Sequence, residues 1–248
     1  MPRLALIGNP LSHSFSKQYF ETKFSQLSLP NWYYDLWELK TLDDLKSKLI
    51  ATEDLVGFNV TIPYKVQIME HCQFLSEAAR SIGAVNCVKV VHSPNGLQLH
   101  GENTDVHGFE ISLMDWYIKN KKAALVFGNG GAAKAALYVL KAMDFTVVQA
   151  VRKITGPNQI LITDLTETDF CNCDLIVNCT PVGTFPKVDA HLPIPNNWIQ
   201  AHHQYYDMVY NPTETATMLL FKAQGCSVKN GLEMLHLQAD RAWEIWNS

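Results

Sequence analysis

A short polar stretch after an apolar run contains residues that could carry acid–base chemistry. In "NVTIPYK", Asn59 and Thr61 are two residues apart, and Lys65 follows the proline that ends the run. Because side chains alternate along a strand, Asn59 and Thr61 are expected on one face. A lysine in a cleft can exchange a proton with a substrate oxygen while a carboxylate holds it, and Asp105 of "GENTD" is the candidate partner. Considered alone, Lys65 is more simply interpreted as a solvated surface charge.

Further small polar residues stand where apolar runs end. Ser14 and Ser16 are hydroxyls two residues apart that could bind a substrate carboxylate or hydroxyl. Ser16 could equally cap a helix that begins at "KQYF". Asn86, Asn103 and Thr104 lie at the ends of other strand-like runs. Several such residues at strand ends favour hydrogen bonding to a polyhydroxylated small molecule over satisfied polar groups in the core.

The stretch "VFGNGGAAKA" has the spacing of a dinucleotide-binding loop. Gly128, Gly130 and Ala133 form a G-x-G-x-x-A pattern that follows an apolar strand and opens a helix, and Gly131 adds room. The first glycine allows a tight turn, the second lets the backbone approach a pyrophosphate, and the small third residue allows close packing. The helix N-terminus presents N–H groups to anionic oxygens. A glycine-rich packing turn is the alternative interpretation.

The end of the next strand indicates which dinucleotide is bound. An NAD site usually has an acidic residue there to accept from the ribose 2′-hydroxyl. Here "VVQAVRKITG" places Arg152 and Lys153 at that position. Two cations suit a 2′-phosphate, which arginine can bind in bidentate fashion, so NADP is predicted and NAD stays possible. The alternative is a solvated basic loop.

Strands and helices must alternate along the chain to position these residues. The first half has strand-like runs at "LALIG", "YYDLWEL" and "GFNVTI", then a hairpin of 85–92 and 96–103 joined by "SPN". A helix is expected after Thr41, with Asp44 completing its cap. The second half has buried-looking strands at 123–127, 145–151, 160–165, 174–180 and 205–210. This alternation predicts an α/β fold, with an antiparallel pair near the end of the first half and, in the second half, a parallel sheet covered on both faces.

Composition excludes some classes of function. The chain has 248 residues, 47% of them hydrophobic, and its net charge of −4 with 20 Lys and Arg gives no basic footprint for nucleic acid. The N-terminal apolar stretch is too short for a signal peptide, and no segment approaches the length of a membrane span, so a cytoplasmic protein is expected. The six cysteines are interpreted as free thiols in a reducing compartment, and no metal site is predicted.

Together these motifs resemble the shikimate dehydrogenase family, whose members reduce 3-dehydroshikimate to shikimate with NADPH in aromatic (chorismate) biosynthesis. The resemblance runs nearly end to end, because eight motifs occur in the family's order. They are "GNPLSHSFS", "NVTIPYK", "GAVN", "NTD", "GNGGAAKA", "NCTPVG", "YDMVYNPTET" and "NGLEMLHLQA".

The resemblance implies a two-domain α/β protein. Residues 1–104, joined by a C-terminal helix at 232–248, would form a substrate-binding domain with a mainly parallel sheet. Residues 105–231 would form a Rossmann-like NADP-binding domain. The implied partner is a small-molecule substrate, with no nucleic acid or membrane, and the protein would be a monomer or homodimer.

The resemblance also implies roles for individual residues. Lys65 is similar to the family's catalytic lysine, paired with Asp105. The implied substrate-binding residues are Ser14, Ser16, Asn59, Thr61, Lys65, Asn86, Asp105 and Gln238, with the two serines on the substrate carboxylate. The implied cofactor-binding residues are Gly128, Asn129, Gly130, Gly131, Ala132, Arg152, Lys153, Thr180, Val182, Met208, Tyr210 and Gly231, the last five lining the nicotinamide side.

The sequence departs from the family pattern in three places. Lys17 stands where proline is usual, Glu102 stands where aspartate or arginine is frequent, and "VRK" at 151–153 replaces "NRT". Two alternatives follow. One is a quinate/shikimate dehydrogenase that prefers NAD, and the other is a non-catalytic nucleotide or metabolite sensor with the same fold.

Overall fold

The computed structural model describes residues 1–11, 14–94, 96–117 and 122–248. The chain divides into two compact units, Met1–His107 with Gln238–Ser248, and Gly108–Leu237. The domain boundaries expected from the sequence, after residues 104 and 231, lie a few residues earlier in the chain. Since both structural divisions lie inside continuous helices, no loop marks them in the sequence.

The first unit is built on a six-stranded mixed sheet. Its strand order is β2-β1-β3-β5-β6-β4, in which β1–β2, β1–β3 and β4–β6 are parallel and the β3–β5 and β5–β6 pairs are antiparallel. The elements are β1 (Arg3–Gly8), α1 (Phe15–Gln26), β2 (Tyr33–Glu38), α2 (Asp43–Ala51), β3 (Leu55–Val60), β4 (Phe74–Leu75), α3 (Glu77–Ile82), β5 (Cys87–Ser93) and β6 (Gly96–Glu102).

The position of a strand in this sheet explains its sequence pattern. The inner strand β1 is buried from Leu4 to Ile7, as expected for a strand covered on both faces. The edge strand β2 is instead only partly buried, with Tyr34 and Trp37 buried and Tyr33 and Leu36 exposed. The predicted hairpin is confirmed, with Ser93 opposite Gly96, and Asn95 of its connection lies outside the described residues.

The second unit is built on a six-stranded sheet in which every neighbouring pair is parallel. Its order is β12-β11-β10-β7-β8-β9. The elements are α4 (Thr104–Met114), which begins in the first unit, then β7 (Ala123–Phe127), α5 (Gly131–Ala142), β8 (Thr146–Val151), β9 (Gln159–Leu161), α6 (Glu167–Cys171), β10 (Leu175–Asn178), β11 (Gln204–Asp207), α7 (Ala216–Ala223), β12 (Ser227–Asn230) and α8 (Leu232–Asn247). The predicted α/β fold class is confirmed.

Two local predictions are wrong. The strand expected at 160–165 ends at Leu161, because the chain turns through Ile162–Asp164 into the capping box that Thr166 and Asp169 form at the start of α6. The helix expected to be capped by Thr41 begins at Asp43 after Leu42. There the Asp44 carboxylate accepts from the backbone N–H of Thr41 at 3.4 Å.

The end of α8 completes the first unit. Trp246 packs with Phe20 and donates from its indole N–H to the Val88 carbonyl at 3.0 Å. A Cβ at Gly57 would lie 2.3 Å from the Trp246 ring, so only glycine allows this approach. Asp240 accepts from Tyr19 and Lys23 of α1, which fixes α8 against α1. These contacts hold α8 in place, the helix that carries Gln238, one of the implied substrate-binding residues.

A buried histidine in the second unit is held neutral. His203 is fully buried, and its Nδ1 accepts from the backbone N–H of Gln200 at 3.0 Å. Burial, with His202 nearby, lowers the pKa of His203 to about 4. Protonation of Nδ1 would break this hydrogen bond, so the folded unit disfavours the charged form.

The structure bears on two features of the composition, the cysteines and the length of the apolar helices. All six cysteines are free. Among the helices that the structure describes, none is long and apolar enough to cross a membrane.

Candidate active site

Lys65 and Asp105 form an ion pair within the first unit. The Lys65 Nζ donates to Asp105 Oδ2 at 2.6 Å, and the two side chains are 20% and 10% exposed. Lys65 lies in the turn after β3, where its carbonyl accepts from the Val85 N–H at 2.7 Å, and Asp105 lies in the first turn of α4. Lys65 is therefore not an isolated surface charge, and it is held beside a carboxylate as proton transfer would require.

Asn86 fixes the second oxygen of this carboxylate. Its Nδ2 donates to Asp105 Oδ1 at 2.9 Å and to Thr104 Oγ1 at 3.0 Å, and its Oδ1 accepts from the Thr104 N–H at 2.7 Å. Both side chains are buried. The Asp105 carboxylate thus has one oxygen on Lys65 and the other on Asn86, which sets its orientation.

Thr104 connects this cluster to the C-terminal helix. Its buried hydroxyl donates to Gln238 Oε1 at 3.3 Å. Gln238 therefore lies beside Asn86 and Asp105 although it is far along the chain. From the sequence, Thr104 was recognised only as a polar residue, and this connection was not predicted. Its place between Asn103 and Asp105 at a helix start was the available signal.

Asn59 lies in β3 and Thr61 directly follows that strand, and the two residues differ in their surroundings. Asn59 is buried, accepts from the Tyr34 hydroxyl at 2.8 Å and donates to the Asn86 carbonyl at 3.3 Å. Its amide is therefore partly used within the protein, as in a satisfied core residue. Thr61 is half-buried, and its N–H donates to the Ile7 carbonyl at 2.9 Å.

The two serines lie at the start of α1. Ser14 is its N-cap residue, yet its buried Oγ has no hydrogen-bond partner among the residues that the structure describes. Ser16 lies inside the helix, so the interpretation of Ser16 as the N-cap is wrong. It forms a side-chain hydrogen bond with Tyr34, a tyrosine whose pKa is raised by burial. Lys17 pairs with Glu21 at 3.8 Å on the exposed side, and α1 begins at Phe15 without a proline.

The glycine loop of the second unit has the geometry of an anion site. Gly128 has a φ of +115°, in the region that favours glycine, and its Cβ would lie 3.1 Å from the Cys179 carbonyl oxygen. The helix α5 begins at Gly131 after Gly130, where an added Cβ would meet nothing within 4 Å. Open space thus lies before a helix N-terminus, as a pyrophosphate requires.

The implied cofactor residues lie at the C-terminal ends of the parallel strands. Gly128 follows β7, and Arg152 and Lys153 follow β8 as exposed cations. Thr180 and Val182 come after β10, where the Thr180 hydroxyl donates to Asn178 Oδ1 at 2.6 Å. In open α/β sheets, ligands bind at this edge. The donor set of backbone N–H groups and two cations therefore fits a phosphorylated dinucleotide.

Three further residues lie at the same edge, around the ends of β11 and β12. Met208 follows β11, and a Cβ at Gly231 would lie 2.2 Å from the Met208 carbonyl oxygen. Glycine is therefore required for this approach. Tyr210 is half-buried, and burial raises the pKa of its hydroxyl.

A buried carboxylate holds this segment, and the sequence analysis missed it. Asp207 is fully buried and accepts from Asn178 Nδ2 at 2.9 Å, Tyr205 Oη at 2.9 Å, the Val209 N–H at 3.0 Å and Thr215 Oγ1 at 2.7 Å. Burial raises the pKa of Asp207, and the hydrogen bonds oppose this shift. An aspartate at the end of an apolar strand was the signal.

Comparisons with known proteins agree with this geometry. A family model described as "Shikimate dehydrogenase substrate binding domain" matches residues 6–88. The shikimate dehydrogenase (NADP(+)) of Clostridium beijerinckii is 37% identical over 251 residues, which cover 97% of this chain and 90% of the relative. That of Caldicellulosiruptor bescii is 36% identical over 99% of this chain and 89% of the relative.

Solved structures give the same result. The shikimate 5-dehydrogenase of Thermus thermophilus in complex with NADP(H) and shikimate has a TM-score of 0.85 and 30% identity, covering 99% of this chain and 93% of that one. The enzyme of Listeria monocytogenes in complex with shikimate and NAD has a TM-score of 0.84 and 27% identity, covering 100% and 92%. The chain belongs to the shikimate dehydrogenase family.

Proposed function

We propose that this protein is an NADP-dependent shikimate dehydrogenase that interconverts 3-dehydroshikimate and shikimate. The observation that carries the proposal is the cluster of Lys65, Asp105 and Asn86 in a chain related over nearly its whole length to enzymes of this name. NADPH, when bound, supplies the hydride. Action on these metabolites agrees with the expected cytoplasmic location, which stays a prediction, as does the oligomeric state.

Lys65 is the proton-transfer group of the proposed reaction. In the reductive direction it donates a proton to the oxygen of the ketone, and in the oxidative direction it accepts that proton. Asp105 holds the ammonium through Oδ2, and its Oδ1 is fixed by Asn86. The same carboxylate is suited to accept from a neighbouring substrate hydroxyl.

The substrate carboxylate binds at the serines that begin α1. The buried Ser14 Oγ, which has no hydrogen-bond partner among the described residues, supports this assignment, because a donor in that setting gains a partner when a carboxylate arrives. Ser16 is the second donor. The ring hydroxyls bind among Asn59, Thr61, Asn86 and Gln238. The Asn59 amide contributes only the hydrogen-bonding capacity that its contacts with Tyr34 and Asn86 leave unused.

The second unit binds the dinucleotide in this proposal. The pyrophosphate lies on the loop of Gly128, Asn129, Gly130, Gly131 and Ala132. The 2′-phosphate lies on Arg152 and Lys153, and the absence of an acidic residue directly after β8 favours NADP over NAD. Thr180, Val182, Met208, Tyr210 and Gly231 line the nicotinamide.

Shikimate oxidation by the purified protein tests the proposal. The near-ultraviolet absorbance of the reduced nicotinamide is followed with NADP and with NAD, and quinate replaces shikimate in a parallel series. We expect turnover with shikimate and a higher kcat/KM with NADP. No reduction of either cofactor would favour a non-catalytic sensor, whereas preference for NAD with turnover of quinate would support the quinate/shikimate alternative.

A further inference from the structure

The connection between β8 and β9 is unusually short for parallel strands. Gln149 of β8 lies opposite Gln159 of β9, and only the seven residues 152–158 join the two strands. Parallel neighbours usually need a crossover of about a dozen or more residues, most often a helix. Here the connection is a loop, and it begins with the two cations Arg152 and Lys153. Something other than a helix must hold its shape.

The side chain of Gln159 holds the middle of this loop. Its Oε1 accepts from the backbone N–H of Thr155 at 2.7 Å and from that of Gly156 at 3.0 Å. Its Nε2 donates to Gln149 Oε1 at 2.8 Å. One glutamine therefore binds the loop on one side and the neighbouring strand on the other.

Gln149 continues this chain of contacts to the glycine loop. It is 5% exposed, and its Nε2 donates to the Gly128 carbonyl at 2.7 Å. Asn129 of the glycine loop in turn donates from Nδ2 to Thr155 Oγ1 at 2.9 Å. The contacts form a closed ring from Gly128 and Asn129 through Gln149, Gln159 and Thr155. The ring joins the loop proposed for the pyrophosphate to the loop proposed for the 2′-phosphate.

We propose that Gln159 is a positioning residue for recognition of the 2′-phosphate of NADP, and that it sets the preference for NADP over NAD by fixing the loop of Arg152 and Lys153. The inference rests on the proposed NADP-binding function. The role assigned to Gln159 follows from the groups that its side chain contacts. A purely structural role would need only the link between the two strands, whereas Gln159 also fixes the backbone two residues beyond the cations.

Replacing Gln159 with methionine tests the inference. The change keeps side-chain length and removes both hydrogen-bonding groups. Gln224→Met is the matched control, because Gln224 is exposed and follows α7, next to the opposite edge strand β12. Dissociation constants for NADP and NAD are measured by calorimetric titration, with circular dichroism and the melting temperature as controls of folding.

In the Gln159→Met protein, we expect the Kd of NADP to rise about tenfold, as for a buried polar contact left unmade, and that of NAD to rise less than about threefold. Shikimate binding should be unchanged, because its proposed residues lie in the other unit. An unchanged ratio of the two dissociation constants, with affinities kept or equally lost, would overturn the inference.

A second variant covers the case in which Gln159→Met does not fold. Thr155→Val removes an exposed hydroxyl that accepts from Asn129 and donates to Gln159 Oε1 at 3.3 Å, and it should lower the preference for NADP in the same direction. An unchanged preference in that protein contradicts the inference. If the wild-type protein does not prefer NADP, the proposed cofactor and the inference both fail. If it prefers NADP and the variants keep that preference, only the inference fails.

Discussion

Replacing Lys65 with methionine removes the amino group and keeps a side chain of similar length. The Lys65 Nζ lies 2.6 Å from Asp105 Oδ2, and the Lys65 side chain is 20% exposed. Loss of a general acid–base group lowers rates by about a hundred- to ten-thousand-fold, or roughly 3–5 kcal/mol in activation free energy. We expect kcat for shikimate oxidation to decrease by a factor within that range.

The same change has a second, smaller consequence for stability. Asp105 loses its cation but keeps the donor from Asn86, and it is 10% exposed in the wild-type protein. A buried acceptor left with fewer partners costs about 1–3 kcal/mol, which should appear as a lower melting temperature. The dissociation constant for NADP should not change, because the proposed cofactor residues belong to the other unit.

Steady-state rates and NADP titrations measure these effects. Lys46→Met is the matched control, since Lys46 is exposed on α2, and its kcat should equal that of the wild-type protein. If the Lys65→Met protein is folded and its kcat lies within about tenfold of the wild-type value, Lys65 is not the proton-transfer group.

Three other predictions concern the second unit. Gly130→Ala should leave the melting temperature unchanged, because the added Cβ meets nothing within 4 Å. The same change should weaken the binding of NADP and of NAD equally, as measured by titration. Arg152→Ala should weaken the binding of NADP more than that of NAD, and equal losses of affinity would show that Arg152 does not contact the 2′-phosphate. His203 has a pKa of about 4 in the folded protein and 6.5 in the unfolded chain. Its contribution to the free energy of unfolding is therefore complete above pH 6.5 and is lost as the pH falls towards 4. In denaturant titrations, the free energy of unfolding of the wild-type protein should decrease between pH 6.5 and pH 4 by up to about 3 kcal/mol more than that of the His203→Phe protein. Equal decreases in the two proteins would contradict this prediction.

The sequence predicted the parts of the fold that depend on periodicity. Continuously apolar runs that alternate with helices indicated the parallel sheet of the second unit, because buried parallel strands are continuously apolar. The alternating runs at 85–92 and 96–103 indicated the antiparallel pair of the first unit. The glycine loop was visible because one backbone conformation at Gly128 requires that residue. The strand at 160–165 was wrong since an apolar run does not reveal where a capping box turns the chain, as Thr166 does here.

Contacts between distant residues were harder to predict. Lys65 and Asp105 are 40 positions apart, and their pairing depends on β3, β5 and β6 lying side by side. Residue types made the pair a candidate, and the family resemblance selected it. The links from Thr104 to Gln238 and from Gln149 to Gln159 depend on strand register and helix placement, which side-chain chemistry alone does not determine.

The central claim is that Lys65, held by Asp105, transfers the proton at the substrate oxygen that is oxidised. A crystal structure of the protein with shikimate and NADP measures this directly. The account predicts that Lys65 Nζ lies about 3 Å from the reacting hydroxyl, with the substrate carboxylate at Ser14 and Ser16. Shikimate bound with that hydroxyl beyond hydrogen-bonding reach of Lys65, directly or through one water, would contradict it.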